Sequence, residues 1–382
     1  MNEARVLYGA TEFGAPQFSA DLLWRTGFRV HDPMLFLDIG GRGYLFVSSL
    51  ELGRARKEAI GQTVLEIASF IKRMGARTLF DAAEVFMKRR GIRKIVTPST
   101  LPFGVGRALQ KRFSTSLVSG SVYPERAVKS AQEIRQISDA QRVVDHALGR
   151  ARSVLRASTI RGRNIIYKEK PLTSEFLRKM MESEMYAAGC FASGTIVAGG
   201  AQAAHPHEQG SGPLPAHMPI VFDAFPASLK SHYWADCTRT LFKGRPSAGH
   251  MKMYETVLVA QKLGMARVNA GADVSATHAA VQKYFEAQGY RTNVSGVSAE
   301  GFIHSLGHGV GLELHEAPRV GAAREVLESG NVITIEPGLY YPKAQKGIPI
   351  GGIRLEDMVL VTKTGHRNLT QLPKNLRWAV IQ

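Results

Sequence analysis

Short apolar runs alternate with stretches of helical spacing through roughly the first 125 residues, and this alternation predicts an α/β unit. Residues 32–49 (DPMLFLDIGGRGYLFVSS) read as two strands around a Gly-rich turn. A polar helix start follows at ELGRARKEA, a helix is expected over 79–90, and RKIVTP (93–98) reads as a strand ended by proline. No Gly-rich phosphate loop follows any of these strands, so no nucleotide site is indicated. A long amphipathic helix is predicted from Val128 to Leu155. Its stripe is Ile134, Ile137, Val144, Leu148, Ala151 and Leu155, broken only by the polar Gln141. Further helices are expected at Thr173–Ala188, with Thr173 or Ser174 as N-cap, and at His250–Ala270 and Ser275–Gln288. Strands are expected at Gly194–Ala198, Pro219–Phe225, Tyr233–Phe242, Phe302–Leu314, Asn331–Tyr341 and Ile353–Thr362. The order suggests a mixed, largely antiparallel sheet covered by helices, with a domain boundary near residue 127.

The polar positions change the picture. Asp223, Asp236, His308, Glu336 and Glu356 each interrupt an apolar, strand-like stretch. Four carboxylates and an imidazole converging on one buried pocket need cations to neutralise them. Two divalent ions sharing carboxylates suit that set, which makes a dinuclear metallohydrolase the working expectation. Segments 218–228 and 231–242 read as two arms of a hairpin. Alternation puts Val221, Asp223 and Phe225 on one face of the first arm, and Trp234, Asp236 and Thr238 on one face of the second. In GFIHSLGHGVGLELHEAP, the glycines disfavour a helix and allow close backbone packing. A regular strand would turn His315 away from His308, so a bend or bulge is needed to bring it back. Arg354 shares a face with Glu356, which fits either an ion pair or a bidentate grip on a ligand carboxylate.

Composition narrows the class. The chain has 382 residues, 44% hydrophobic and 21% charged, enough for one large core or two moderate ones. No apolar run is long enough for a membrane span, and the N-terminal stretch carries no signal-like apolar segment. Two cysteines, Cys190 and Cys237, exclude a disulfide framework and fit a reducing cytoplasm. The net charge of +17 is uneven: residues 1–171 hold 29 Lys and Arg against 15 Asp and Glu, and residues 172–382 hold 20 against 17. The basic residues are scattered and lack interleaved aromatics, so a solvated face or subunit contact is expected rather than a nucleic-acid partner.

The stretches DAF, ADCTRT, HSLGHGVGLELHE, TIEPGLY and IRLED, in this order, resemble the pita-bread metallopeptidases, specifically their aminopeptidase P and prolidase branch. The resemblance covers residues 128–382, and residues 1–127 resemble, more weakly, the creatinase-type N-terminal domain of that branch. It implies an α+β architecture: a pita-bread catalytic domain with a pseudo-twofold antiparallel sheet, preceded by a smaller α/β domain. It further implies that Asp223, Asp236, His308, Glu336 and Glu356 are metal ligands, with Asp236 and Glu356 bridging. His304 and His315 correspond to residues contacting substrate and transition state, and Glu336 to a proton relay. In IVAGGAQAAHPHEQG the matching histidine is His207, with His205 the near alternative, and Arg354 matches an arginine beside the last ligand. The implied reaction is cleavage of a peptide with proline at its second position by hydroxide shared between two ions; the alternatives are a small-molecule C–N hydrolase or lyase on the same fold and a non-catalytic binding module. Oxygen-rich ligation with one imidazole suits Mn2+, with Co2+, Fe2+ or Zn2+ as alternatives. A homodimer is expected by analogy. Two features depart from the family pattern. Ala224, Phe225 and Pro226 follow Asp223 in place of the usual Asp-x-Gly, and the gap to Asp236 is longer by about two residues, which falls in Pro226–Ser231.

Overall fold

A computed structural model describes residues 3–295 and 299–382. The chain divides into two compact units, Met1–Arg126 and Ala127–Gln382.

The first unit is built on a six-stranded sheet: β1 (Glu3–Gly9), β2 (Met34–Ile39), β3 (Arg42–Val47), β4 (Thr63–Glu66), β5 (Lys94–Pro98) and β6 (Ser114–Val118), in the order β4-β3-β2-β1-β5-β6. The β2–β3 hairpin turns at Gly40-Gly41, where φ values of 60° and 84° demand residues without a Cβ. β1, β2 and β3 pair antiparallel, whereas β4, β5 and β6 join in parallel after helical crossovers. Apolar side chains line both faces of the sheet, with Phe46, Phe70 and Phe86 on one side and Leu7, Phe28 and Phe36 on the other. That double burial explains why β2 reads as an apolar run over its first four residues, before Asp38, which pairs with Arg25.

The second unit opens with a helix over Ala131–Ala157. Ser130 and Glu133 form a reciprocal capping box, worth about 1 kcal/mol to the helix start. The break in its stripe is resolved by local bonding: buried Gln141 donates to Asp145. This helix packs against Ser174–Ala187, which is capped by Thr173, and the pair Ala248–Met265 and Val274–Ala287 repeats the arrangement. Each helix pair covers a largely antiparallel sheet, the one exception being the parallel pairing of Val380–Ile381 with Cys237–Lys243. One sheet orders Ile196–Gly199, Ile220–Ala224, Cys237–Lys243 and Val380–Ile381; the other orders Glu316–Val320, Gly307–Gly309, Val332–Ile335, Asp357–Val361 and His366–Asn368. This internal repetition is the α+β pita-bread architecture that the sequence resemblance implies.

Three expected strands are interrupted. Phe302–Leu314 contributes only Gly307–Gly309 to the ladder. A Cβ at Gly307 would lie 2.0 Å from the Thr334 carbonyl oxygen, and one at Gly309 would lie 2.4 Å from that of Ala317, so the glycines serve close approach over a short span. Asn331–Tyr341 splits after Ile335, and Ile353–Thr362 splits after Arg354. The two breaks are the same event. Ile335 pairs with Asp357 in the five-stranded sheet and Gly338 pairs with Arg354 in a separate two-stranded ribbon, so both strands change sheets side by side. Pro337, which has no N–H to give a ladder, sits at the crossing.

Candidate active site

Both glutamates of interest lie at that crossing. With ladder pairing suspended, the N–H of Glu336 donates to the Leu306 carbonyl (2.8 Å) and that of Glu356 to the Thr238 carbonyl (3.1 Å). Each backbone is thereby tied to a neighbouring strand. Asp223 lies within its strand and pairs in register with Thr238 of the adjacent one, while Asp236 is the last residue before that strand begins. Of the five expected ligands, then, Asp223 and His308 are in strands; Asp236, Glu336 and Glu356 flank them. Strand ends give carboxylates directions that the strict two-residue alternation would forbid.

The structure brings these side chains together. His308 Nε2 lies 3.5 Å from Asp236 Oδ2 and 3.5 Å from Glu336 Oε1. Ligand atoms of Asp236, His308 and Glu356 all fall within 4.8 Å of one another. The imidazole is oriented from behind by its Nδ1, 3.1 Å from the Gly309 carbonyl, which leaves Nε2 as the lone-pair nitrogen facing the carboxylates. Asp223 enters through Arg354: the guanidinium donates to Asp223 Oδ2 (2.6 Å), Thr238 Oγ1 (3.0 Å) and the Tyr340 hydroxyl (2.8 Å). Its buried partner is therefore Asp223, not Glu356. Glu356 Oε2 instead accepts from Thr238 Oγ1 at 2.9 Å.

Burial raises the proton affinity of Asp236 and Glu356, and repulsion from neighbouring carboxylates adds to it. Glu336 is likewise raised, by burial first, with His308 and Arg354 opposing. Asp223 Oδ1, Asp236 Oδ1 and Glu356 Oε1 are buried oxygens without a hydrogen-bond partner. Unpartnered buried acceptors, converging around an imidazole lone pair, are what a cation-binding cradle requires. The donor set fits divalent ions.

Around this centre stand three further histidines. His304 Nδ1 lies 2.7 Å from the Ser305 carbonyl and so carries the proton; Nε2 accepts from the Tyr340 hydroxyl at 3.1 Å. Burial pushes this imidazole down to about 3, and Arg354 adds to the effect, so it is neutral at any physiological pH. His315 does return to the site. A register shift between His308 and Gly309 and the turn over 310–315 bring its ring edge-on to His308, with centroids 4.2 Å apart. Dehydration of its inner edge and repulsion from His308 pull it down to about 4, while its outer edge meets solvent. His207 is exposed on the loop after Gln202–Ala204, close enough to depress both His304 and His315. Arg354 also reaches the Pro206 carbonyl (3.4 Å), anchoring the His207 loop to the site.

Thr238, Thr334 and Tyr340 were not singled out from sequence, yet each orients a charged group of the centre: Thr334 Oγ1 lies 3.4 Å from Glu336 Oε1 and accepts from the His308 N–H at 3.1 Å. The only signal was position, two residues from Asp236 and Glu336 and four beyond Glu336. The longer Asp223–Asp236 connection is folded, not open. Ala227–Ser228 pairs with Cys190–Phe191, and the Trp234 N–H and indole N–H donate to the Gly311 and Leu312 carbonyls at 2.8 and 3.2 Å.

The profile of metallopeptidase family M24 matches residues 135–363. The Xaa-Pro dipeptidase of Pyrococcus horikoshii is 34% identical over 300 residues, 77% of each chain. That of Pyrococcus furiosus is 30% identical over 342 residues, covering 88% of this chain and 87% of the relative. Among solved structures, an Xaa-Pro dipeptidase from Bacillus anthracis superposes with a TM-score of 0.80 at 25% identity, over 99% of this chain and 95% of that one. With the buried Asp, His and Glu cluster in place, the chain belongs to metallopeptidase family M24.

Proposed function

We propose that this metallopeptidase cleaves Xaa-Pro bonds with two divalent ions, Mn2+ by preference, which Asp223, Asp236, His308, Glu336 and Glu356 would hold. The observation that carries the reading is the gathering of buried carboxylates about His308, with Asp223, Asp236 and Glu356 each keeping one oxygen without a hydrogen-bond partner. Four carboxylates against the single Arg354 guanidinium leave more negative charge than one divalent ion offsets. When bound, such ions polarise a carbonyl and lower the pKa of water.

The protein's own groups supply the rest. Glu336 would accept a proton at the centre and deliver it to the leaving nitrogen. His315 offers an N–H to the developing oxyanion from the rim. His304, whose one N–H is committed to Ser305, contributes as a neutral wall fixed by Tyr340. His207 lies on the substrate side, where its loop is steadied by Arg354. A prolyl bond is a tertiary amide without N–H, so recognition at that bond cannot use a backbone donor of the substrate.

The two pyrococcal relatives are named Xaa-Pro dipeptidases, which favours dipeptides. We read the first unit as a creatinase-type domain and the protein as a cytoplasmic homodimer. The compartment rests on two buried free cysteines and the dimer on family analogy; no described helix is long and apolar enough to cross a membrane. After Mn2+ loading, Xaa-Pro dipeptides should be hydrolysed at least about tenfold faster, as kcat/KM, than Xaa-Pro-Xaa tripeptides. A tripeptide preference would make the enzyme an aminopeptidase P, and inactivity on both would overturn the proline-directed reading.

A further inference from the structure

Behind the carboxylate centre, on the opposite face of the strand that carries Thr238, lies a second polar cluster that the chemistry above does not use. Arg239 is fully buried, yet all five of its N–H donors are engaged. Nε donates to the Pro373 carbonyl (3.1 Å), Nη1 to the carbonyls of Thr238 (2.9 Å) and Glu356 (2.5 Å), and Nη2 to Asp357 Oδ1 (2.7 Å) and the Leu372 carbonyl (2.8 Å). The same C-terminal segment is held at other points. The Gln371 N–H donates to Asp145 (2.9 Å), the Tyr254 hydroxyl to the Lys374 carbonyl (3.2 Å), and Lys374 pairs with Asp357.

A buried charge pair by itself is weak evidence of stabilisation. Here the guanidinium does something an apolar side chain could not. It joins the carbonyl of Glu356 to that of Thr238, whose own hydroxyl orients the Glu356 carboxylate. At Glu356 the strand has left one sheet and not yet entered the next, so its backbone is held by its N–H bond to the Thr238 carbonyl and by what reaches its own carbonyl, not by a ladder. We propose that Arg239 is a positioning residue: it locks the Glu356 backbone at the sheet crossing and couples the Leu372–Lys374 segment to the metal centre. The proposal rests on the reading of Glu356 as a metal ligand.

Arg239→Lys and Lys374→Met separate positioning from plain stability. Lysine keeps a positive charge for Asp357 but has a single point of donation, so it cannot span Glu356, Thr238, Leu372 and Pro373 at once. Lys374→Met removes the second cation and leaves the grip on Glu356. Calorimetric titration of Mn2+ into metal-stripped protein should show at least a tenfold loss of affinity in Arg239→Lys. Lys374→Met should stay within threefold of wild type, even where both variants lower the melting temperature. Wild-type affinity in folded Arg239→Lys, or an equal loss in Lys374→Met, would overturn the proposal. Should Arg239→Lys fail to fold, wild-type protein supplies the answer, because coupling between sites is reciprocal. Mn2+ should slow hydrogen exchange across 371–374 more than across the 174–187 helix, and equal slowing would overturn the coupling. Wild-type protein that takes up no Mn2+ would overturn the metal reading and this proposal together.

Discussion

Replacing Asp236 or Glu356 with alanine is expected to abolish both metal retention and hydrolysis. In either variant kcat/KM on an Xaa-Pro dipeptide should fall at least about a thousandfold, roughly 4 kcal/mol of transition-state stabilisation. The size of the effect follows from how few groups make the centre. Asp236 faces His308 at 3.5 Å, Glu356 brings a ligand atom within 4.8 Å of both, and each carries an unpartnered oxygen. No nearby neutral side chain can take over either place. Loss of fold is not the expected cause. Without metal, the Asp236 carboxylate is repelled by Asp223 and Glu336, so its removal relieves repulsion in the stripped protein. Circular dichroism, metal analysis and rates on the same preparations check this. Wild-type rates in either variant would refute the shared-ligand assignment.

Stripping the metal should make stability fall as pH rises. Asp236, Glu336 and Glu356 are all held above the ordinary carboxylate range, chiefly by burial. A carboxyl whose pKa is higher in the folded chain than in the unfolded one binds more protons when folded. Its favourable contribution is therefore complete below the unfolded value, about 4, and is lost as pH rises toward the raised folded value. The loss amounts to ~1.4 kcal/mol for each pH unit that separates the two values. His304 works in the other direction: with its pKa lowered to about 3, it costs stability only as pH drops below about 6.5. Divalent ions cancel the carboxylate penalty, adding about 4 kcal/mol when present at a thousand times their dissociation constant. Protons compete with them, so the benefit is larger at high pH. Thermal melts of stripped and Mn2+-saturated protein should differ more at pH 8 than at pH 5. An equal gap, or a wider one at pH 5, would show that these carboxylates are not the groups the ions neutralise.

The residues legible from sequence were those that break a local rule. Asp223 within IVFDAF and Glu336 after VITI are charges inside apolar runs, and burial of both strands makes them conspicuous. The Ala131–Ala157 helix was equally plain, because its capping box and stripe agree. What sequence hid was where strands end. The crossing at Glu336-Pro337 and Leu355-Glu356 depends on which distant strand each half pairs with, and alternation within one segment carries no record of that. For the same reason Arg354 was read beside Glu356, whereas sheet pairing delivers it to Asp223. Thr238, Tyr340 and Arg239 stay silent in the sequence because a polar residue in a strand reads as a solvent-facing position, whereas both of these strands are buried throughout. His315 could be recovered only through the register shift beside His308.

Anomalous diffraction from Mn2+-soaked crystals tests the dinuclear centre most directly. Two peaks per chain are expected, one touched by His308 and both contacted by Asp236 and Glu356. A single peak, or ions bound away from these five side chains, would contradict it.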